Sequence, residues 1–186
     1  MFCSLARSVV LVICICGSVC TAVAQSAWLD VPFIKQEKNG CGSASIAMVM
    51  QYWHKQQGRS LSDSSEATRI HQALYVPGAD GIFASAMERY FQDHQFRTFS
   101  FRGDWEILQQ HLQKGRPLIA ALKPSGFNGA LHYVVVVGLD LEEDILLLND
   151  PWRRKLLKQD RSDFEKQWSA TGEWTLLALP QPAGSG

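Results

Sequence analysis

QEKNGCGSASIAMVMQYW, residues 36–53, changes character at Cys41. Before the cysteine the stretch is polar and punctuated by glycine; after it the residues are small and apolar. Ala44, Ala47, Met48 and Tyr52 recur at steps of three and four, which predicts an amphipathic helix from Cys41 to Trp53 or Lys55. Ser43, Ser45 and Gln51 fall off that stripe. A thiol in a helix's first turn meets backbone N–H groups without intrahelical partners and the positive end of the helix dipole. Both favour thiolate, the nucleophilic form of cysteine. Gly40 and Gly42 suit a tight entry turn and leave room for a ligand backbone to approach the sulfur. The competing reading is a buried structural cysteine on an ordinary helix.

The chain opens MFCSLARSVVLVICICGSVCTAVAQS. Arg7 supplies a positive n-region, Val9 to Cys16 an apolar h-region, and Ala22-Val23-Ala24 a small-residue cleavage site. Residues 1–24 are therefore expected to be a signal peptide cut before Gln25, giving a periplasmic or extracellular protein. An uncleaved membrane anchor is the alternative, since the apolar stretch continues to Ala24. Lipidation at Cys20 is disfavoured by the preceding Val19. Cleavage removes Cys3, Cys14, Cys16 and Cys20 and leaves Cys41 as the one cysteine. No intrachain disulfide is then available, and a lone cysteine in an exported chain points to a reactive thiol or intermolecular pairing. A multi-cysteine metal site is excluded. The 18 basic and 18 acidic residues balance, and losing Arg7 leaves a net charge of −1. No basic run interleaves with aromatics, so a nucleic-acid partner is not expected.

The remainder suits one domain over residues 25–179, with residues 180–186 as a frayed tail. Pro32 demotes Trp28–Ile34 to an edge strand or extended arm. Helices are predicted over 62–75, 81–92, 104–114 and 163–168; strands over 96–101, 117–122, 132–139, 145–148 and 174–179. Asp104 is placed to cap its helix. The charged run Asp140–Asp144 is expected to turn one strand into the next as a hairpin. Helices first, then a mostly antiparallel sheet, is an α+β pattern with a helical layer against one sheet face.

His132 opens the strand HYVVVVGL after a Gly- and Pro-rich loop, and Asp150 follows the next strand in LLLND. With the turn centred near Glu142, Val134 falls opposite Asp150. His132 is then a diagonal neighbour at roughly 7–8 Å between Cα atoms, within side-chain reach. A carboxylate there can hold one imidazole nitrogen and leave the other for a thiol. A one-residue slip in register aims Asn149 at the ring instead. Asn149 is the alternative orienting residue, as asparagine serves in papain-like sites. The bland alternative is a satisfied histidine at a strand end beside an Asp-Pro turn. His54, His71, His94 and His111 read as surface residues, and none pairs with another histidine at i+4, so no zinc helix is expected. Glu142, Glu143 and Asp144 crowd a solvated turn rather than forming an acid pair.

Taken together, Gln36, Cys41-Gly42-x-Ala44-x-x-Ala47-Met48-x-x-x-Tyr52-Trp53, then His132-Tyr133-Val134-Val135-Val136, then Asn149-Asp150-Pro151, resemble the peptidase domain of the bacteriocin-processing family. These are papain-like cysteine peptidases that cut after double-glycine leaders. The resemblance runs from Val31 to Trp174. It implies a papain-like fold, a peptide or protein substrate and no cofactor, with Cys41 as nucleophile, His132 as general base and acid, and Asp150 as orienting group. It also implies Gln36 as oxyanion donor, though Gln36 lies five residues before Cys41, where the family places that glutamine six before. The chain is similar to a free-standing, exported branch of the family. The same triad would serve an amidase or a transpeptidase, and a binding module that kept the fold without turnover is the third alternative.

Overall fold

A computed structural model of the protein describes residues 26–59, 65–125 and 131–182; the expected signal peptide and most of the frayed tail lie outside them. Strand β1 (Ala27–Trp28) leads to helix α1 (Cys41–Gln56), then α2 (Ser65–Leu74), a 3-10 turn at Pro77–Ala79 and α3 (Ala84–Asp93). Strand β2 (Phe96–Arg102), helix α4 (Trp105–Gln113), β3 (Leu118–Leu122), β4 (His132–Asp140), β5 (Ile145–Asn149), β6 (Leu157–Asp160), α5 (Arg161–Ser169) and β7 (Trp174–Pro180) complete the order. The strands form one sheet, β2-β7-β3-β4-β5-β6, with every pairing antiparallel. β1 pairs β4 at Gly138 and Leu139, along the edge that β3 occupies nearer His132. A Cβ at Gly138 would stand 2.7 Å from the Ala27 carbonyl oxygen, so only glycine lets β1 come in there. The α+β expectation holds, and Asp104 caps α4 by accepting from the Ile107 N–H at 2.7 Å.

Two expectations need correction. The helices do not form one layer. Ile119, Ala121, Tyr133, Val135 and Val137 pack towards α1, α2 and α3. Leu118, Ala120, Val134, Val136 and Leu148 pack with Leu108 and Leu112 of α4 and Phe164 and Trp168 of α5. The sheet is therefore covered on both faces. The cause is legible in β4, whose apolar residues run without alternation and have to be buried on both sides. Helix α1 is likewise not amphipathic: Gly42 to Tyr52 are all buried. Its three buried polar residues, Ser43, Ser45 and Gln51, are satisfied internally. The Ser43 hydroxyl donates to the Gly40 carbonyl at 2.9 Å, Ser45 to that of Tyr133 at 3.4 Å, and the Gln51 amide to Glu66 Oε2 at 3.3 Å. Strand β6 departs from the expected elements; its short, polar sequence LKQD carries no apolar alternation, and it forms by pairing with β5 at the sheet edge.

Candidate active site

The site is built at the end of β4 where that strand begins. Across β4 and β5, Val135 pairs Asn149 and Val136 pairs Leu148, the register that sets Val134 against Asp150. A bulge near Val137 shifts the ladder by one residue beyond it, away from the site. His132 and Asp150 thus share one parity of the sheet. His132 Nε2 and Asp150 Oδ1 lie 2.8 Å apart, and both residues are buried. Asp150 is itself fixed by its turn: the same oxygen accepts from the backbone N–H of Trp152 at 2.9 Å and of Arg153 at 3.3 Å.

Helix α1 lies across the other sheet face and brings its first residue, Cys41, to this end of β4. Cys41 is half-buried and is the free cysteine of the described residues. It lines a cleft of about 610 Å³ together with His132, Tyr133 and Gln36. With Nε2 engaged by Asp150, the other ring nitrogen of His132 is left for Cys41, to which the ring is hydrogen-bonded. The helix N-cap is Gly40, with no side chain capping the first turn, so the N–H groups at its start are not claimed by a cap. The entry turn is tight: Asn39 holds a left-handed backbone at φ 56°. The neighbouring glycines serve packing rather than ligand access. Gly42 is buried, and a Cβ there would lie 3.2 Å from that of Ile82; a Cβ at Gly40 would lie 3.2 Å from the Glu37 carbonyl.

Electrostatics couple the three groups. Burial pulls the His132 pKa down, but hydrogen bonds to Asp150 and Cys41 and the negative charge of both override it and push it up to about 9. The imidazolium is therefore the resting form at neutral pH. Burial would raise Asp150; the hydrogen bond and charge of His132, with the Trp152 and Arg153 N–H groups, hold it below its ordinary value instead. Burial and the Cys41 charge push Tyr133 up to about 12, so it stays a neutral phenol in the cleft wall.

Asn149 is fully buried and turned to other work. Its amide nitrogen donates to the Val31 carbonyl at 3.1 Å and its oxygen accepts from the Leu156 N–H at 3.1 Å. It ties the N-terminal arm to the loop after β5, and Asp150 is the partner of the ring. Gln36 sits on that same arm, its backbone N–H bonded to the Pro151 carbonyl at 3.1 Å. Its side chain lines the cleft, and its Oε1 is buried without a partner among the described residues. Lys35, at the spacing the family resemblance favours, is exposed and does not line the cleft. The sequence reading missed the cleft walls: Asp80 and Phe83 from the loop before α3, Leu131, and Trp152. The Pro-Gly-Ala-Asp-Gly turn and the tryptophan following Asp-Pro were the available signals. Of the other histidines, His54, His71 and His111 are half-buried rather than on the surface, and His71 and His111 each have a buried Nδ1.

A half-buried thiol at a helix start, an imidazole at a strand start and a carboxylate at the paired strand's end define a thiol–imidazole–carboxylate centre on an antiparallel sheet flanked by helices. The Peptidase_C39 like family matches residues 28–175, and the chain belongs to that family. The fold is similar to the peptidase domain of Streptococcus ComA, a bifunctional ABC transporter of a quorum-sensing pathway, with TM-score 0.61, 20% identity, and coverage of 80% of this chain and 98% of that one. It is similar to a double glycine motif protease from an AMS/PCAT transporter, solved in complex with its leader peptide, with TM-score 0.60, 22% identity, and coverage of 83% and 95%. It also resembles the N-terminal peptidase C39 like domain of a toxin secretion ATP-binding protein from Vibrio parahaemolyticus, with TM-score 0.53, 14% identity, and coverage of 78% and 99%. No curated protein matches the chain in sequence.

Proposed function

We propose that this protein is an exported cysteine peptidase. Cys41 is the nucleophile. It attacks a peptide carbonyl, His132 gives its proton to the leaving amine, and a thioester acyl-enzyme results. Water, deprotonated by His132, then hydrolyses the thioester, which frees the sulfur and returns a proton to the imidazole. Asp150 holds the imidazole in orientation and stabilises its charged form. The N–H groups at the start of α1, with the Gln36 amide turned to present its nitrogen, hold the oxyanion; each such donor is worth on the order of 3 kcal/mol of barrier. Residues 1–24 direct export and are removed, and double-glycine sites are the first substrates the family suggests.

The single observation that carries this reading is the 2.8 Å His132–Asp150 contact in a buried pair whose ring also meets Cys41. A peptide-library digest by the purified protein, with Cys41→Ala as blank, tests it. Cleavage by the parent and silence from the variant is the expected pattern. Equal turnover by both proteins would refute the assignment, and product masses with and without an added amine separate hydrolysis from acyl transfer.

A further inference from the structure

The cleft wall before α3 carries a carboxylate that the proposed mechanism leaves idle. Asp80 closes the 3-10 turn at Pro77–Ala79 in a left-handed conformation, φ 51°. Two donors fix it from different elements, and both fall on Oδ1. The Asn39 amide, two residues before Cys41, donates at 2.5 Å, and the Tyr75 hydroxyl at 2.9 Å. Among the described residues no donor reaches Oδ2. Among the described residues no lysine or arginine lines the cleft. Arg153 stands 3.9 Å from Asp150 with an exposed side chain, outside the lining. The rim around Asp80 is apolar: Phe83, Leu131 and Trp152 are 54%, 50% and 56% exposed.

We propose that Asp80 is a specificity-determining residue which receives a lysine or arginine side chain of the substrate within a few residues of the scissile bond. A basic side chain matches both features at once. Its aliphatic stem packs on apolar surface, its charged head remains free to meet a carboxylate, and an aromatic face is a favourable neighbour for that head. A glutamate at the same position meets the like charge of Asp80. The inference rests on the peptidase reading.

The test uses fluorogenic peptides built on a sequence cleaved in the library digest, with lysine, glutamine or glutamate placed singly at each of three positions on either side of the bond. At one position kcat/KM for lysine should exceed that for glutamine by about fivefold, the gain shrinking as salt screens the pair. Asp80→Asn should bring the lysine peptide down to the glutamine level and leave the glutamine peptide within about twofold; Asp80→Lys should reverse the order in favour of glutamate. The parent enzyme showing no lysine preference at any position overturns the inference, whatever the variants do. So does an equal loss on all three peptides in Asp80→Asn, which would make the residue only a pin for the Asn39 turn. If the parent cleaves no peptide and Cys41 is not labelled, the peptidase reading falls and this inference with it.

Discussion

Two concavities among the described residues differ in a way that size does not explain. Between α4 and α5 lies a groove of about 900 Å³, half again the size of the cleft at Cys41. The groove is rich in charge, but its charges answer one another near solvent. Arg102 meets Glu173 at 2.9 Å, Arg161 meets Glu165 at 2.8 Å, and the Arg161 guanidinium sits 4.4 Å from the centre of the Trp105 ring. The cleft holds fewer charges, yet its central pair is 4% and 8% exposed, against 37% and 44% for Arg161 and Glu165. Burial removes the solvent that would screen a charge, so the same separation does far more to protonation in the cleft than in the groove. Unscreened coupling, rather than volume or charge count, separates the two regions.

The sharpest test of that contrast is at the nucleophile. Cys41→Ala should lower kcat/KM by 10⁴-fold or more, on the order of losses seen for other catalytic nucleophiles, without a comparable fall in stability. A residual rate near the parent value would make the cleft as idle as the groove.

Next in size is Asp150→Asn, expected to cost roughly 10²- to 10⁴-fold in kcat/KM. Its pH signature is more diagnostic. With the His132 pKa at about 9, activity should fall as pH rises through that value, because the proton donated to the leaving amine is lost. Removing the Asp150 charge should move that alkaline limb to lower pH. Stability follows the same proton. His132 holds it more tightly folded, at about 9, than at its ordinary 6.5, so the stabilisation is full below about pH 6.5 and lost as pH rises through about 9. Thermal melts of the parent should therefore weaken across this window, and those of His132→Gln should show a smaller change.

A third substitution separates packing from chemistry. Gly103 lies in the groove, where a Cβ would stand 2.5 Å from the Trp168 ring and 2.7 Å from Thr175 Oγ1. Gly103→Ala should cost about 1–3 kcal/mol of stability by overpacking. At temperatures where the variant is folded, kcat/KM should remain within about twofold of the parent. A catalytic loss at full folding would show that the groove communicates with the cleft.

The two regions also differ in how far the sequence announced them. The cleft's centre was legible because strand pairing is close to local arithmetic: a short hairpin turn, four residues long here, with one bulge beyond it sets His132 diagonal to Asp150, and the glycine-flanked Cys41 marks a helix start. The choice between Asp150 and Asn149 depended on register alone, and the two hydrogen bonds that take Asn149 elsewhere come from Val31 and Leu156, contacts no pattern in LLLND foretells. The second helical layer was written in the unbroken apolar run of β4 and in the faces of α4 and α5, but the chain order of elements does not say which sheet face a helix covers. The cleft walls were invisible for a different reason. Asp80, Phe83 and Trp152 sit in turns, whose side chains obey no periodicity and acquire a role only once distant segments converge on them.

The smallest effect is expected where the groove looks most elaborate. Arg161 bonds Glu165, stands 3.7 Å from Asp144 and covers Trp105, a set of contacts that resembles a binding site. Each partner is substantially exposed, and exposed ion pairs give up most of their Coulomb energy to water and to the ordering of long side chains. The cation–π contact adds about 0.5–1 kcal/mol at such a site. Arg161→Gln should therefore lower stability by no more than about 1 kcal/mol, with the loss shrinking in high salt, and leave kcat/KM unchanged. Denaturant midpoints at low and high salt check it. A loss of several kcal/mol that persists in salt would mean that these charges are coupled as strongly as those of the cleft, and the physical distinction between the two regions would fail.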